Sequence, residues 1–161
     1  LIINKIREEI EASRIQLLHS LNFEQTLIQV TLCIPTRARI KESIQDVIFF
    51  DAISKLTGHL TEFNPATFNN SKLNKCHYIR VNATPEKIKS LTLSLEKSSL
   101  WATLWDIDVF DNKGNKISRK MLGEQPRKCL CCSEPAKLCA ALSSHTGIEL
   151  ENAVMKLIIK Q

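Results

Sequence analysis

Residues 59–81 read His59-Leu60-Thr61-Glu62-Phe63-Asn64-Pro65-Ala66-Thr67-Phe68-Asn69-Asn70-Ser71-Lys72-Leu73-Asn74-Lys75-Cys76-His77-Tyr78-Ile79-Arg80-Val81, and they decide the fold class. Two strand-like runs, 59–68 and 76–81, flank the polar turn Asn69-Asn70-Ser71-Lys72, which predicts a hairpin. Upstream, Ile44, Val47, Ile48, Ala52, Ile53 and Leu56 recur every three or four residues up to Gly58, the pattern of a helix. Before that helix, the β-branched run 26–34 ends at Pro35 and reads as a strand. Downstream, Thr84-Pro85-Glu86-Lys87 has an N-cap residue followed by Pro at the first helical position, and Ile88, Leu91 and Leu95 form the apolar face. A further strand spans 104–110, and the turn Asp111-Asn112-Lys113-Gly114 reverses it into Lys116-Ile117-Ser118-Arg119.

The resulting order is β-α-β-β-α-β, which predicts an α+β, ferredoxin-like (split βαβ) core over residues 26–120. An amphipathic helix over 1–21 precedes it, with Ile3, Ile6, Ile10, Leu17, Leu18 and Leu21 at helical spacing. A cysteine-rich segment and a last helix, 148–159, complete the stretch 121–161. The ββ step argues against a doubly wound parallel sheet, and there is no Gly-rich phosphate loop.

The whole chain of 161 residues is expected to form one domain, since 43% hydrophobic and 24% charged residues with only four Gly and five Pro describe neither a disordered nor a collagenous polymer. No apolar run approaches a bilayer span of roughly 20 residues, and the opening Leu1-Ile2-Ile3-Asn4-Lys5 lacks a signal-peptide layout, so a cytoplasmic protein without a membrane partner is expected. The net charge is +5, and its location matters more than its size. Lys113, Lys116, Arg119, Lys120, Arg127, Lys128 and Lys137 face only Glu124 and Glu134 within one window, while basic and acidic residues balance elsewhere. One Tyr, six Phe and the lack of an RNP-type motif argue against nucleic acid as the partner of these cations.

Trp105-Asp106-Ile107-Asp108-Val109 places two carboxylates on one face of a strand and three apolar side chains on the other. Such a pair can hold Mg²⁺, a hard ion often shared with substrate phosphates, or it can be a solvated polar face. Arg119 and Arg127 add planar donors suited to polyphosphate oxygens, and Lys120 and Lys128 add point charges; the alternative is a solvated basic hairpin. Lys41, with Arg37 and Arg39, precedes a helix N-terminus, where backbone N–H groups favour anions. Cys129-x2-Cys132-x6-Cys139-x5-His145 carries the ligand types of a tetrahedral Zn²⁺ site. Reduced cysteines on a buried helix face, or a cysteine nucleophile, are the competing readings. Trp101 and Trp105 are candidates for lining a pocket or for the core.

Leu104-Trp105-Asp106-Ile107-Asp108-Val109, Gly114, Ile117-Ser118-Arg119, Pro126-Arg127, Cys129-Leu130, Cys132, Ala136, Cys139 and His145 together resemble the apo-citrate lyase phosphoribosyl-dephospho-CoA transferase family. Ile40-Lys41-Glu42-Ser43 and Leu95-Glu96 extend the resemblance upstream. The resemblance implies transfer of the prosthetic group from triphosphoribosyl-dephospho-CoA to a serine of the citrate lyase acyl-carrier subunit, with release of diphosphate. In that reaction Asp106 and Asp108 are expected to bind Mg²⁺ and orient or deprotonate the serine, while Arg119, Arg127 and Lys41 hold the triphosphate. The chain departs from the family at Ala102-Thr103, where Gly-Arg is usual, at Ala141 in place of Arg, and at Pro35-Thr36 in place of Pro-Gly. These departures leave open a non-catalytic or repurposed relative that binds a carrier protein or CoA-like ligand.

Overall fold

A computed structural model describes residues 2–70 and 75–160. It contains α1 (Ile2–His19), β1 (Gln25–Leu32), α2 (Glu42–His59), β2 (Ala66–Asn70), β3 (Cys76–Asn82), α3 (Pro85–Leu95), β4 (Trp105–Phe110), α4 (Ala136–Leu142) and α5 (Gly147–Ile159). The strands form one sheet in the order β2-β3-β1-β4. Every neighbouring pair is antiparallel, with Ile28 of β1 opposite both Ile79 of β3 and Val109 of β4. Each pair of strands joined through a helix, β1 with β2 and β3 with β4, is thereby separated by one other strand.

The alternation of β1 explains its central place, because Leu27, Ile28, Gln29 and Val30 are all buried although they point to opposite faces. On one face Ile28, Val30, Ile79, Val81, Trp105, Ile107 and Val109 pack with Ile48, Ala52 and Leu56 of α2, Ile88 and Leu95 of α3, and Val154 of α5. On the other, Leu27, Cys76, Tyr78 and Phe110 meet Ile10, Leu17 and Leu18 of α1. The Tyr78 hydroxyl donates to the Ile10 carbonyl at 2.7 Å, and the Arg14 guanidinium lies over the Phe110 ring at 5.1 Å. Each fully buried aliphatic side chain contributes about 1.5–3 kcal/mol of transfer free energy. The predicted N-terminal helix therefore covers one face of the sheet.

Three expectations are corrected in detail. The first hairpin strand starts at Ala66 instead of His59, which closes α2. Leu60 and Phe63, which read as strand positions, are buried anchors around the 3-10 turn Thr61–Phe63, and Asn64 leaves that turn at φ 50° in the left-handed region. Residues 116–119 form no strand: Lys116 makes an isolated bridge to Phe110, and Ser118 then caps the 3-10 turn Arg119–Leu122. Leu104 belongs to a 3-10 turn, Trp101–Leu104, that leads into β4. The hairpin turn expected at 69–72 lies partly outside the described residues. No described helix is long and apolar enough to cross a membrane.

Candidate functional site

β4 is an edge strand, so every second residue directs its backbone N–H and C=O away from β1. Side chains take the place of a fifth strand along much of this edge. Arg127 Nη2 donates to the Trp105 carbonyl at 3.0 Å, Lys89 Nζ to the Ile107 carbonyl at 2.9 Å, and the Ile107 N–H to Glu96 Oε1 at 3.4 Å. The Ile117 N–H completes the row on the Val109 carbonyl at 2.8 Å. Beside this edge opens a cleft of about 750 Å³ lined by Lys89, Glu96, Asp106, Asp108, Arg119 and Arg127, among others. Lys116, Lys120 and Lys137 add further positive charge to its wall.

Asp106 and Asp108 share the strand face opposite buried Trp105, Ile107 and Val109, as the alternation predicts. Asp108 is mostly buried and pairs with Lys116 Nζ at 2.6 Å. Asp106 is more open, its side chain 41% exposed, and Arg127 Nη2 lies 3.5 Å away. The turn that brings Lys116 back to Asp108 is held by Asp111, whose carboxylate accepts from the backbone N–H groups of Lys113 and Asn115 at 2.9 and 2.8 Å. Gly114 supplies the φ of 83° that this turn needs.

Glu96, just beyond the C-terminus of α3, is 3% exposed and pairs with both Arg119 and Arg127. Burial raises its pKa above the ordinary value, while Arg127, Arg119, Lys89 and the Ile107 N–H act in the opposite sense. Lys89 is 4% exposed, and burial lowers its pKa against the attraction of Glu96 and Asp108. Arg127 is more heavily engaged: Nη1 donates to the Thr103 carbonyl at 2.6 Å and to Cys33 Sγ at 3.0 Å. Burial pushes the Cys33 thiol up to about 11, although Arg127 acts to lower it. Arg119 and Arg127 are therefore brought together on one buried carboxylate next to the aspartates.

Lys41 is the exposed N-cap residue of α2 and does not line the cleft. Trp105 is fully buried in the core, and Trp101 Nε1 donates to Asp51 at 3.0 Å; neither tryptophan lines the cleft. Of the basic window, Lys113 lies apart, in a hollow with Phe23 and Glu86. Lys89, Glu96 and Lys116 are site residues to which sequence reasoning gave no role. The signals available were the place of Lys116 in the basic window, that of Glu96 in the family-like Leu95-Glu96, and the seven-residue spacing of Lys89 and Glu96, which returns to nearly the same side of a helix.

Cys129, Cys132, Cys139 and His145 converge, with their ligand atoms all within 4.8 Å of one another. Cys132 Sγ lies 3.5 Å from both Cys139 Sγ and His145 Nε2. The segment before α4 folds back on itself, with Cys129 N–H on the Glu134 carbonyl and Ala136 N–H on the Arg127 carbonyl, both at 2.8 Å. Burial acts to raise the Cys129 pKa, but the backbone N–H groups of Cys131 and Cys132 and the neighbouring thiols bring it down to about 7. Three thiols and an imidazole in this spacing suit a four-coordinate ion such as Zn²⁺, and the backbone donors stabilise the thiolate that such an ion needs. A lone cysteine nucleophile is disfavoured by this convergence. The cluster also adjoins a second cavity of about 440 Å³, which Arg127 shares with the cleft.

Residues 2–161 match the family model described as apo-citrate lyase phosphoribosyl-dephospho-CoA transferase. Over 139 residues, 84% of this chain, it is 33% identical to the protein CitXG of Haemophilus influenzae, of which the match takes in 30%. Over 80 residues, half of the chain, it is 34% identical to an apo-citrate lyase phosphoribosyl-dephospho-CoA transferase of Escherichia coli, of which the match takes in 44%. The chain thus spans less than half the length of these curated relatives.

Proposed function

The chain belongs to the apo-citrate lyase phosphoribosyl-dephospho-CoA transferase family, and from that premise we propose that it transfers the phosphoribosyl-dephospho-CoA group from its triphosphate donor to a serine of the citrate lyase acyl-carrier subunit. The observation that carries the proposal is the juxtaposition of Asp106 and Asp108 with a ring of cations in one cleft. In this reaction the serine oxygen forms a bond to the phosphorus nearest the ribose, the bond to the leaving diphosphate breaks, and the serine proton is lost. Asp106 would orient the hydroxyl and accept that proton, a role supported by its being the more open of the two carboxylates. Arg119, Lys116, Lys120 and Lys137 face the departing negative charge, where fixed cations in a partly dry site are worth several kcal/mol. Arg127 contributes its charge to the triphosphate while both terminal nitrogens hold protein groups. Lys41 would meet only a distal part of so long a donor.

Asp106 and Asp108 are also the carboxylates that would hold Mg²⁺; their strand spacing and oxygen ligands suit that ion, provided that Lys116 gives up Asp108. When bound, it supplies charge neutralisation at the phosphate oxygens. Zn²⁺ is the proposed occupant of the cysteine–histidine cluster, in a structural role. The strand order, with one strand between the members of each helix-linked pair, supports a ferredoxin-like core. A cytoplasmic location accords with the proposed substrates and with thiols left unpaired.

A second reading is favoured by the closure of Asp108 on Lys116 at 2.6 Å together with Ala102-Thr103 and Ala141 at positions where the family usually carries arginine. A relative with its aspartate closed in this way would bind a carrier protein or CoA-like ligand without turnover. Incubation of the protein with the triphosphate donor and apo carrier subunit separates the two. Diphosphate release and a mass increase of the carrier, abolished by Asp106→Asn and Asp108→Asn, are expected; donor binding without either product would sink the transferase proposal.

A further inference from the structure

We propose that Lys89 and Glu96 act together as positioning residues, a clamp from α3 and the residue that follows it, which fixes the peptide groups of Ile107 and so aims the two flanking aspartates. Ile107 is the residue between Asp106 and Asp108, and its outward backbone groups have no strand to pair with. Lys89 Nζ takes its carbonyl at 2.9 Å, and Glu96 Oε1 takes its N–H at 3.4 Å. Lys and Glu side chains with no use for burial are usually solvated, yet both of these are at least 96% buried. The other oxygen of Glu96 faces Arg119 and Arg127, so the same carboxylate that holds the strand also spaces the guanidiniums. Neither residue needs to touch the donor. Each acts through the groups it holds, and a misplacement of the aspartates by about 1 Å would cost on the order of 100-fold in rate.

The inference rests on the transfer reading for its kinetic arm alone. Hydrogen exchange at the Ile107 amide, followed by NMR, supplies an arm that needs no substrate. Exchange is expected to accelerate about tenfold in Glu96→Ala and several-fold in Lys89→Met, while Glu96→Gln, which keeps an acceptor for the N–H, restores much of the protection. In transfer assays Lys89→Met should lower kcat about 30-fold, with the donor KM changed by less than about threefold. A double variant Lys89→Met with Glu96→Gln should lose less than the product of the single losses, since the two act as a unit. Unchanged Ile107 exchange in both Glu96→Ala and Lys89→Met, or a Lys89→Met protein within about threefold of wild type in kcat, overturns the clamp. If Glu96→Ala fails to fold, Lys89→Met decides the matter in the same assays. Wild-type protein that attaches nothing to the carrier sinks the transfer reading instead, and the exchange arm then decides the clamp alone.

Discussion

Replacing Arg127 with Met is the most direct test of how the free edge of β4 is held. The guanidinium donates to the carbonyls of Thr103 and Trp105 at 2.6 and 3.0 Å and stands beside the carboxylates of Glu96 and Asp106 at 3.4 and 3.5 Å. A hydrogen bond from a charged donor contributes about 1.5–3 kcal/mol net, and two of them set an upper value of about 6 kcal/mol. Because the side chain is 25% exposed, water can re-solvate part of what it leaves, and about 3 kcal/mol is the more reasonable loss. Glu96 keeps Arg119 and the Ile107 N–H, so its carboxylate is not stranded. For a chain of this size each kcal/mol moves Tm by about 2–4 °C, which gives a fall of about 6–12 °C. Arg127→Lys, which can reach one carbonyl but not both, should lie between. Thermal melts and urea titrations at constant m-value read the effect. An Arg127→Met protein melting within about 2 °C of wild type would refute the bracing role and return Arg127 to a purely ligand-binding one.

Purified protein should carry about one zinc per chain, and Cys132→Ser or a strong chelator should remove it and lower Tm markedly, because the binding free energy of such an ion is folding free energy; metal-free protein with unchanged Tm would contradict this. Asp111→Ala removes three short hydrogen bonds from the turn after β4 and should cost roughly 1–3 kcal/mol by urea titration, with Lys116 released from Asp108. Gly147→Ala would place a Cβ 2.7 Å from the Arg37 carbonyl oxygen, so α5 must shift away from the loop before α2, seen as a lower Tm of several degrees. Burial lowers the Lys89 pKa below its ordinary 10.5. In the window between the lowered value and 10.5 the unfolded chain binds more protons, so wild type should gain stability relative to Lys89→Met as pH rises toward 10.5; a constant Tm difference would count against the burial.

The parts of this architecture carried by periodicity were legible. The alternation of β4 put Asp106 and Asp108 on one face, and the spacing of Cys129, Cys132, Cys139 and His145 anticipated their convergence. The boundaries between helix and strand at 59–66 were not, because Leu60 and Phe63 are buried around a turn for tertiary reasons, and isolated apolar residues three apart do not reveal which element buries them. Lys89 and Glu96 were hidden for a related reason. Charged residues on a helix usually face water, and only the missing neighbour of β4 gives these two a buried use. Lys41 shows the reverse case, a basic residue whose neighbourhood in sequence suggested the site and whose place at the start of α2 leaves it outside the cleft wall.

A sheet edge is where a second chain most readily adds a strand, and β4 has its outward groups occupied by lysine, glutamate and arginine side chains and by the backbone of Ile117. The residues proposed to build the cleft thereby also occupy the groups through which a copy of the chain could pair at this edge. Variants that strip the cleft of charge expose hydrogen-bonding groups of a β-rich segment, Trp105–Phe110, and invite self-association. Loss of the proposed transfer in such variants should be read beside their elution volume, since a protein that has lost its carboxylate or guanidinium and one that has polymerised through β4 would look alike in an activity assay.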